Sequence, residues 1–141
     1  MKIAIIDGQG GGLGSSMIQK LKENLSSEDE ILALGTNAIA TSQMMKAGAQ
    51  KGASGENAIC WNAPRVDLVA GPIGILLANA MFGEVTPAIA EAVASSPAHK
   101  IVLPITTCNV EVVGKNNSSL PEMIDQLVEK VLLFKQSRSS S

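Results

Sequence analysis

The apolar run at residues 2–6, Lys-Ile-Ala-Ile-Ile, passes directly into a glycine-dense stretch at residues 7–14, and this junction constrains the fold more than any other feature. A short, continuous apolar run is the pattern of a strand buried on both faces, as in parallel sheets. Five glycines, Gly8, Gly10, Gly11, Gly12 and Gly14, fall within residues 8–14. Without Cβ atoms they permit positive φ and a close approach of the backbone to a ligand. Leu13, Met17, Ile18, Leu21 and Leu25 then recur at helical spacing and form one apolar stripe. A strand that turns through glycines into a helix is the setting of a phosphate-binding loop, because the helix start offers unpaired N–H groups and a partial positive charge.

The same alternation continues along the chain. Residues 30–34 predict a second buried strand ended by Gly35, and Thr36 or Asn37 can cap a helix running to about Ala47, with Gly48 as its stop. Residues 48–65 read as a connection with one short strand at 58–61. A core strand follows at 67–70, and Gly71-Pro72 turns it into a helix over 73–82. Thr86 before Pro87 is an N-cap with proline at the first helical position. Strands are predicted at 100–105 and 110–113. Ser119 and Glu122 make a capping box for a last helix with the stripe Leu120, Met123, Ile124, Leu127, Val128 and Val131. Strands alternating with helices predict a three-layer, Rossmann-like α/β fold, a mostly parallel sheet with helices on both faces. One domain is expected over residues 1–135, with 136–141 as a flexible tail.

Composition narrows the functional classes. Hydrophobic residues make up 45% of the 141 and charged residues 17%, enough for a core without disulfide or metal staples. The net charge of −2 and the lack of a basic cluster argue against nucleic acid as a partner. The longest charge-free run, residues 68–83, is broken by glycines and proline and is too short for a membrane span. No signal peptide pattern precedes the first strand, so a cytoplasmic location is expected. Cys60 and Cys108 match no metal or redox spacing, and no metal site is expected.

The candidate ligand edge follows from the strand ends. Gly8, Gln9, Gly10, Gly11, Gly12, Leu13 and Gly14 form the first group, with the spacing G-x-x-x-G-x-G. Ser15 stands where a P-loop has its lysine, so ATP hydrolysis is unsupported. The absence of tyrosine removes the usual short-chain dehydrogenase mechanism. Thr36 and Asn37, at the end of the second strand, can bond a ribose or cap the following helix, and capping is the stronger reading. Neither an acid for NAD nor an arginine for NADP stands there. Gly71, Pro72, Ile73 and Gly74 form a second glycine turn at the same edge, equally suited to a ligand or to close packing. Asp7 would repel a bound phosphate. It reads first as an Asx-turn accepting loop N–H groups, with metal ligation or general-base work as the alternatives. Cys108 lacks a base, since the one histidine, His99, lies at the far end of the same strand, roughly 20 Å away.

Several runs together resemble an uncharacterised bacterial family of short Rossmann-like proteins, a domain of unknown function. They are residues 7–12, 33–38, 55–59, 71–75, 83–87 and 108–114, in a likeness covering about residues 1–135. The resemblance implies the fold and assigns no activity. The leading expectation is therefore a binding or sensing module that holds a nucleotide or dinucleotide, NAD(P) or another nucleotide, through phosphate, without an identifiable catalytic set. A small oxidoreductase completed by a second subunit and a structural oligomer without ligand are the alternatives. A homodimer or larger homo-oligomer is expected, because residues 73–82, read as a helix, are apolar all round and need cover.

Overall fold

The computed structural model describes residues 1–105, 109–114 and 117–139. The elements are β1 (Lys2–Asp7), α1 (Gly12–Lys22), β2 (Glu30–Gly35), α2 (Ala38–Lys46), β3 (Lys51–Ser54), α3 (Glu56–Asn62), β4 (Leu68–Pro72), α4 (Pro87–Ser95), β5 (His99–Leu103) and α5 (Leu120–Ser139). The strands form one parallel sheet in the order β3-β2-β1-β4-β5. The chain builds outward from β1 through β2 to β3, then returns to place β4 on the other side of β1. That reversal puts a topological switch point between β1 and β4, where α/β sheets open a ligand crevice beyond the strand ends.

Alternation along the strands splits the core into two layers. Ile3 and Ile5 of β1 face Met17, Ile18 and Leu21 of α1 and Ile124, Leu127 and Val128 of α5. Ala4 and Ile6 face the other way, toward Ile59 of α3 and Ile89 and Val93 of α4. The expected three-layer architecture is therefore present, with helices on both faces. Local caps define the helix starts: the Asn37 side chain accepts from the Ala40 N–H, Thr86 from that of Ile89, and Ser119 pairs with Glu122. No described helix is long and apolar enough to cross a membrane.

Four expectations are corrected. Residues 58–61 lie in helix α3, and the strand sits earlier, at Lys51–Ser54. β3 is an exposed edge strand with little apolar content, so it gave no buried-strand pattern. Residues 73–82 are not a helix. A single 3-10 turn, Ile73–Leu76, gives way to a loop with positive φ at Asn79, Met81, Phe82 and Gly83. This loop buries Ile75, Ala80, Met81 and Val85 and leaves Phe82 91% exposed. The Asn79 N–H donates to the Val85 carbonyl and the Val85 N–H to that of Ala80, which replaces the helical ladder. Residues 110–113 form no strand. The last helix continues to Ser139, past the expected boundary at 135, because its final turns are tied down.

Those ties gather around two acids at the sheet edge opposite the glycine loop. Arg138 pairs with Asp67 at 3.1 Å, and the Phe134 ring stacks on His99 with centroids 4.5 Å apart. Asp29, buried, accepts from the Met1 amino group at 3.1 Å, from the Ser26 N–H and hydroxyl at 3.1 Å each, and from Lys135 at 2.5 Å. Burial alone would raise its pKa, but these donors, Lys135 first, outweigh that and hold it at about 2. The folded-state value lies below the ordinary 3.8, so the ionised form stabilises the fold above that pH, and the contribution fades as pH falls toward 2. The shift corresponds to on the order of 2 kcal/mol. Asp29→Asn should lower stability to urea by about that amount at neutral pH. The gap from wild type should close as the pH approaches 2.

Candidate functional site

β1 ends at Asp7 beside Gly35 of β2, so the glycine loop and residues 36–37 leave the sheet side by side. The Thr36 N–H donates to the Asp7 carbonyl at 3.0 Å and joins the two exits. Gln9 at φ 50° and Gly11 at φ 73° turn the chain from strand to helix, and the Gly11 N–H closes the turn onto the Gly8 carbonyl at 2.9 Å. Gly11 precedes α1 without a side-chain cap. A Cβ on Gly11 would lie 2.7 Å from the Ala40 carbonyl oxygen, so both its φ and its closeness to α2 require glycine.

The Asp7 carboxylate lies under this turn. One oxygen accepts the Gly8 N–H and the other the Gly14 N–H, each at 2.8 Å. Asp7 thus accepts loop N–H groups as expected, but from Gly8 and Gly14 and not from Gln9 two residues on, so the bonds are not those of an Asx-turn. Burial raises the Asp7 pKa most strongly, the two backbone donors pull it down, and the nearby charge of Glu84 pushes it up again. The net direction is upward, so the negative charge here is held at a cost.

A second carboxylate comes from far along the chain. One oxygen of Glu84 accepts the Gln9 N–H at 2.8 Å, the Thr36 hydroxyl at 2.6 Å and the Asn37 side-chain amide at 2.9 Å. Burial would raise the Glu84 pKa, but these three donors lower it on balance, Thr36 most. Asn37 also donates to the Gln9 carbonyl at 3.0 Å while its own oxygen caps α2. Glu84 therefore ties the glycine loop, the end of β2 and the 77–85 loop into one polar cluster. Sequence reasoning missed it. The available signal was its isolation, as the one acid between Asp67 and Glu91 in a stretch without lysine or arginine.

The glycines divide by what faces them. A Cβ at Gly8 would fall 2.7 Å from both the Met81 sulfur and the Thr36 hydroxyl oxygen. At Gly14 it would fall 2.5 Å from the Met44 sulfur, and at Gly71 it would strike the Ile6 carbonyl oxygen. These three are needed for packing. Gly10 and Gly12 face nothing within 4 Å. Gly71, Pro72 and Gly74 are buried where β4 leaves the sheet beside β1, with Ile73 partly exposed, so the second glycine turn forms the tight wall of the switch point. Ser15, in the first turns of α1, has a buried hydroxyl oxygen without a partner among the described residues.

The other candidates stand apart. His99 lies at the start of β5, at the sheet edge away from the glycine loop, and is stacked on Phe134. Cys108 lies outside the described residues. Cys60 donates to the Ala88 carbonyl, and burial, followed by the charges of Glu56 and Glu91, pushes its thiol pKa up and disfavours a thiolate. Trp61 carries the Arg65 guanidinium 4.1 Å over its ring. No cluster of three metal-ligating side chains occurs among the described residues.

A solved structure described as a dodecameric FMN-dependent UbiX-like decarboxylase from Escherichia coli O157:H7 is similar over 94% of this chain and 93% of that one, with 15% identity and a TM-score of 0.49. No curated protein matches. The model of the family described as a domain of unknown function (DUF3842) matches residues 2–136, nearly the whole chain, and the protein belongs to that family.

Proposed function

We propose that the protein binds a nucleotide through phosphate at the first turn of α1, over the β1/β4 switch point. The observation that carries this reading is the state of that turn: it has no side-chain cap, and the backbone at Gly10 and Gly12 borders open space. The N–H groups of Gly12 and Leu13 belong to the helix positions that lack intrahelical acceptors, at the positive end of the helix dipole. The neighbouring donors are already fixed, Gly8 and Gly14 by Asp7 and Gln9 by Glu84, so the loop is rigid before a ligand arrives. Preorganisation of this kind lowers the ordering cost of binding.

Glu84 also bears on which nucleotide is taken. An acid at the end of the second strand accepts ribose hydroxyls in dinucleotide sites, and the end of β2, Leu34-Gly35, carries none. The Glu84 carboxylate stands beside Thr36 and Asn37, at that strand end. It would accept a free ribose 2′-hydroxyl and repel a 2′-phosphate, so NAD or a simple ribonucleotide is favoured over NADP by about tenfold or more.

One observation favours a different reading, a structural turn without ligand: two carboxylates already satisfy three N–H groups of the loop and make its surroundings negative. The alternatives separate on thermal stabilisation by millimolar NAD, NADP, ATP, GTP, FMN or CoA. The proposal expects a shift with at least one of them, and no shift with any would contradict it.

The open and packed glycines give a second test. Gly12→Val adds its side chain to open space, so the fold should lose no more than about 1 kcal/mol while any nucleotide-dependent shift disappears. Gly14→Val drives its side chain into Met44 and should cost roughly 1–3 kcal/mol even without ligand. Chemical denaturation of both variants, with and without the nucleotide that stabilises wild type, checks the pair.

A further inference from the structure

Among the described residues β5 lies at the end of the sheet and bonds only β4, so no described strand lies beside the backbone groups on its other side. Open, apolar edges invite pairing, and proteins usually protect them with charge, proline or a covering segment. Here the one lysine of the strand, Lys100, is turned back onto the Ser96 and Ala98 carbonyls at 2.6 and 3.1 Å and does not guard the edge. Beside β5, two cavities of about 180 and 540 Å³ with lining residues in common lie between the strand and α5. Ile101 and Val102 line both, Leu127 and Phe134 close them from the helix, and Leu133 is 56% exposed.

The same chain carries a segment suited to this edge. Residues 110–113, Val-Glu-Val-Val, have the β-branched composition of a strand yet form none, and Val113 is 98% exposed. Gly114 lines the first cavity, so the segment stands at the mouth of the groove. Charge fits as well. Lys130 borders both cavities, and no acid is among their lining residues. The only ionisable side chain in residues 109–114 is Glu111.

We propose that a second copy of the chain covers this edge, each protomer laying residues 109–114 along β5 of the other, with Glu111 set against the partner's Lys130. Because every chain offers both an edge and a strand, one two-fold axis satisfies both and closes the assembly. Strand addition of this kind draws its affinity from backbone hydrogen bonds and its register from side chains. This interface differs from one built on residues 73–82, and it does not depend on a ligand at the glycine loop.

Light scattering on the full chain at micromolar concentration should give a dimer or a closed multiple of one. Glu111→Lys and Lys130→Glu should each weaken association by at least about tenfold, while the double variant returns it to near the wild-type value. Circular dichroism should show all three variants folded, since both side chains are on the surface. A monomeric wild type, single reversals that leave the assembly unchanged, or a double variant that stays dissociated would each overturn the proposal.

Discussion

The buried carboxylate of Asp7 holds together the glycine loop on which the rest of the candidate site depends. By accepting the N–H groups of Gly8 and Gly14 it closes the loop between β1 and α1 and fixes the angle at which the helix leaves the sheet. Asp7 stays in place despite a burial cost that raises its pKa, because removing it would strand two buried donors. Glu84 then joins this rigid loop to the end of β2 and to residues 77–85. Three residues other than glycine sit at positive φ in that last loop, at a cost of roughly 1–3 kcal/mol each. Charged hydrogen bonds at Glu84, roughly 1.5–3 kcal/mol apiece, and burial of Ala80, Met81 and Val85 offset that strain.

Much of the architecture was legible because it is encoded locally. Buried strands read as continuous apolar runs, and Asn37, Thr86 and Ser119 announce their helices within three residues of the bonds they make. β3 escaped because Lys51-Gly-Ala-Ser54 is held to β2 by backbone bonds and one ion pair, Lys51–Glu30, and buries little. Residues 73–82 misled for the opposite reason. Their apolar content signals burial, but the shape they bury in is set by contacts with Val85 and Glu84 beyond the segment.

The site was half visible. The glycine loop, Asp7, Thr36 and Asn37 could be named, and the family resemblance agrees with the match over residues 2–136. Glu84 could not be placed, since it is 75 residues from Gln9 and no local pattern links them. Gly12 and Gly14 look alike in the sequence and differ only by what faces them, open space for one and Met44 for the other. That distinction separates a glycine whose backbone borders open space from one that lets two helices meet.

The central claim is that the first turn of α1 is the open, preorganised face of this loop. Backbone amide NMR during titration with NAD or another nucleotide tests it residue by residue. The account predicts the largest shifts at Gly10, Gly12 and Leu13, with Gly8 and Gly14 moving little because Asp7 already holds their N–H groups. Shifts absent throughout, or concentrated along β5 and α5 instead, would contradict it.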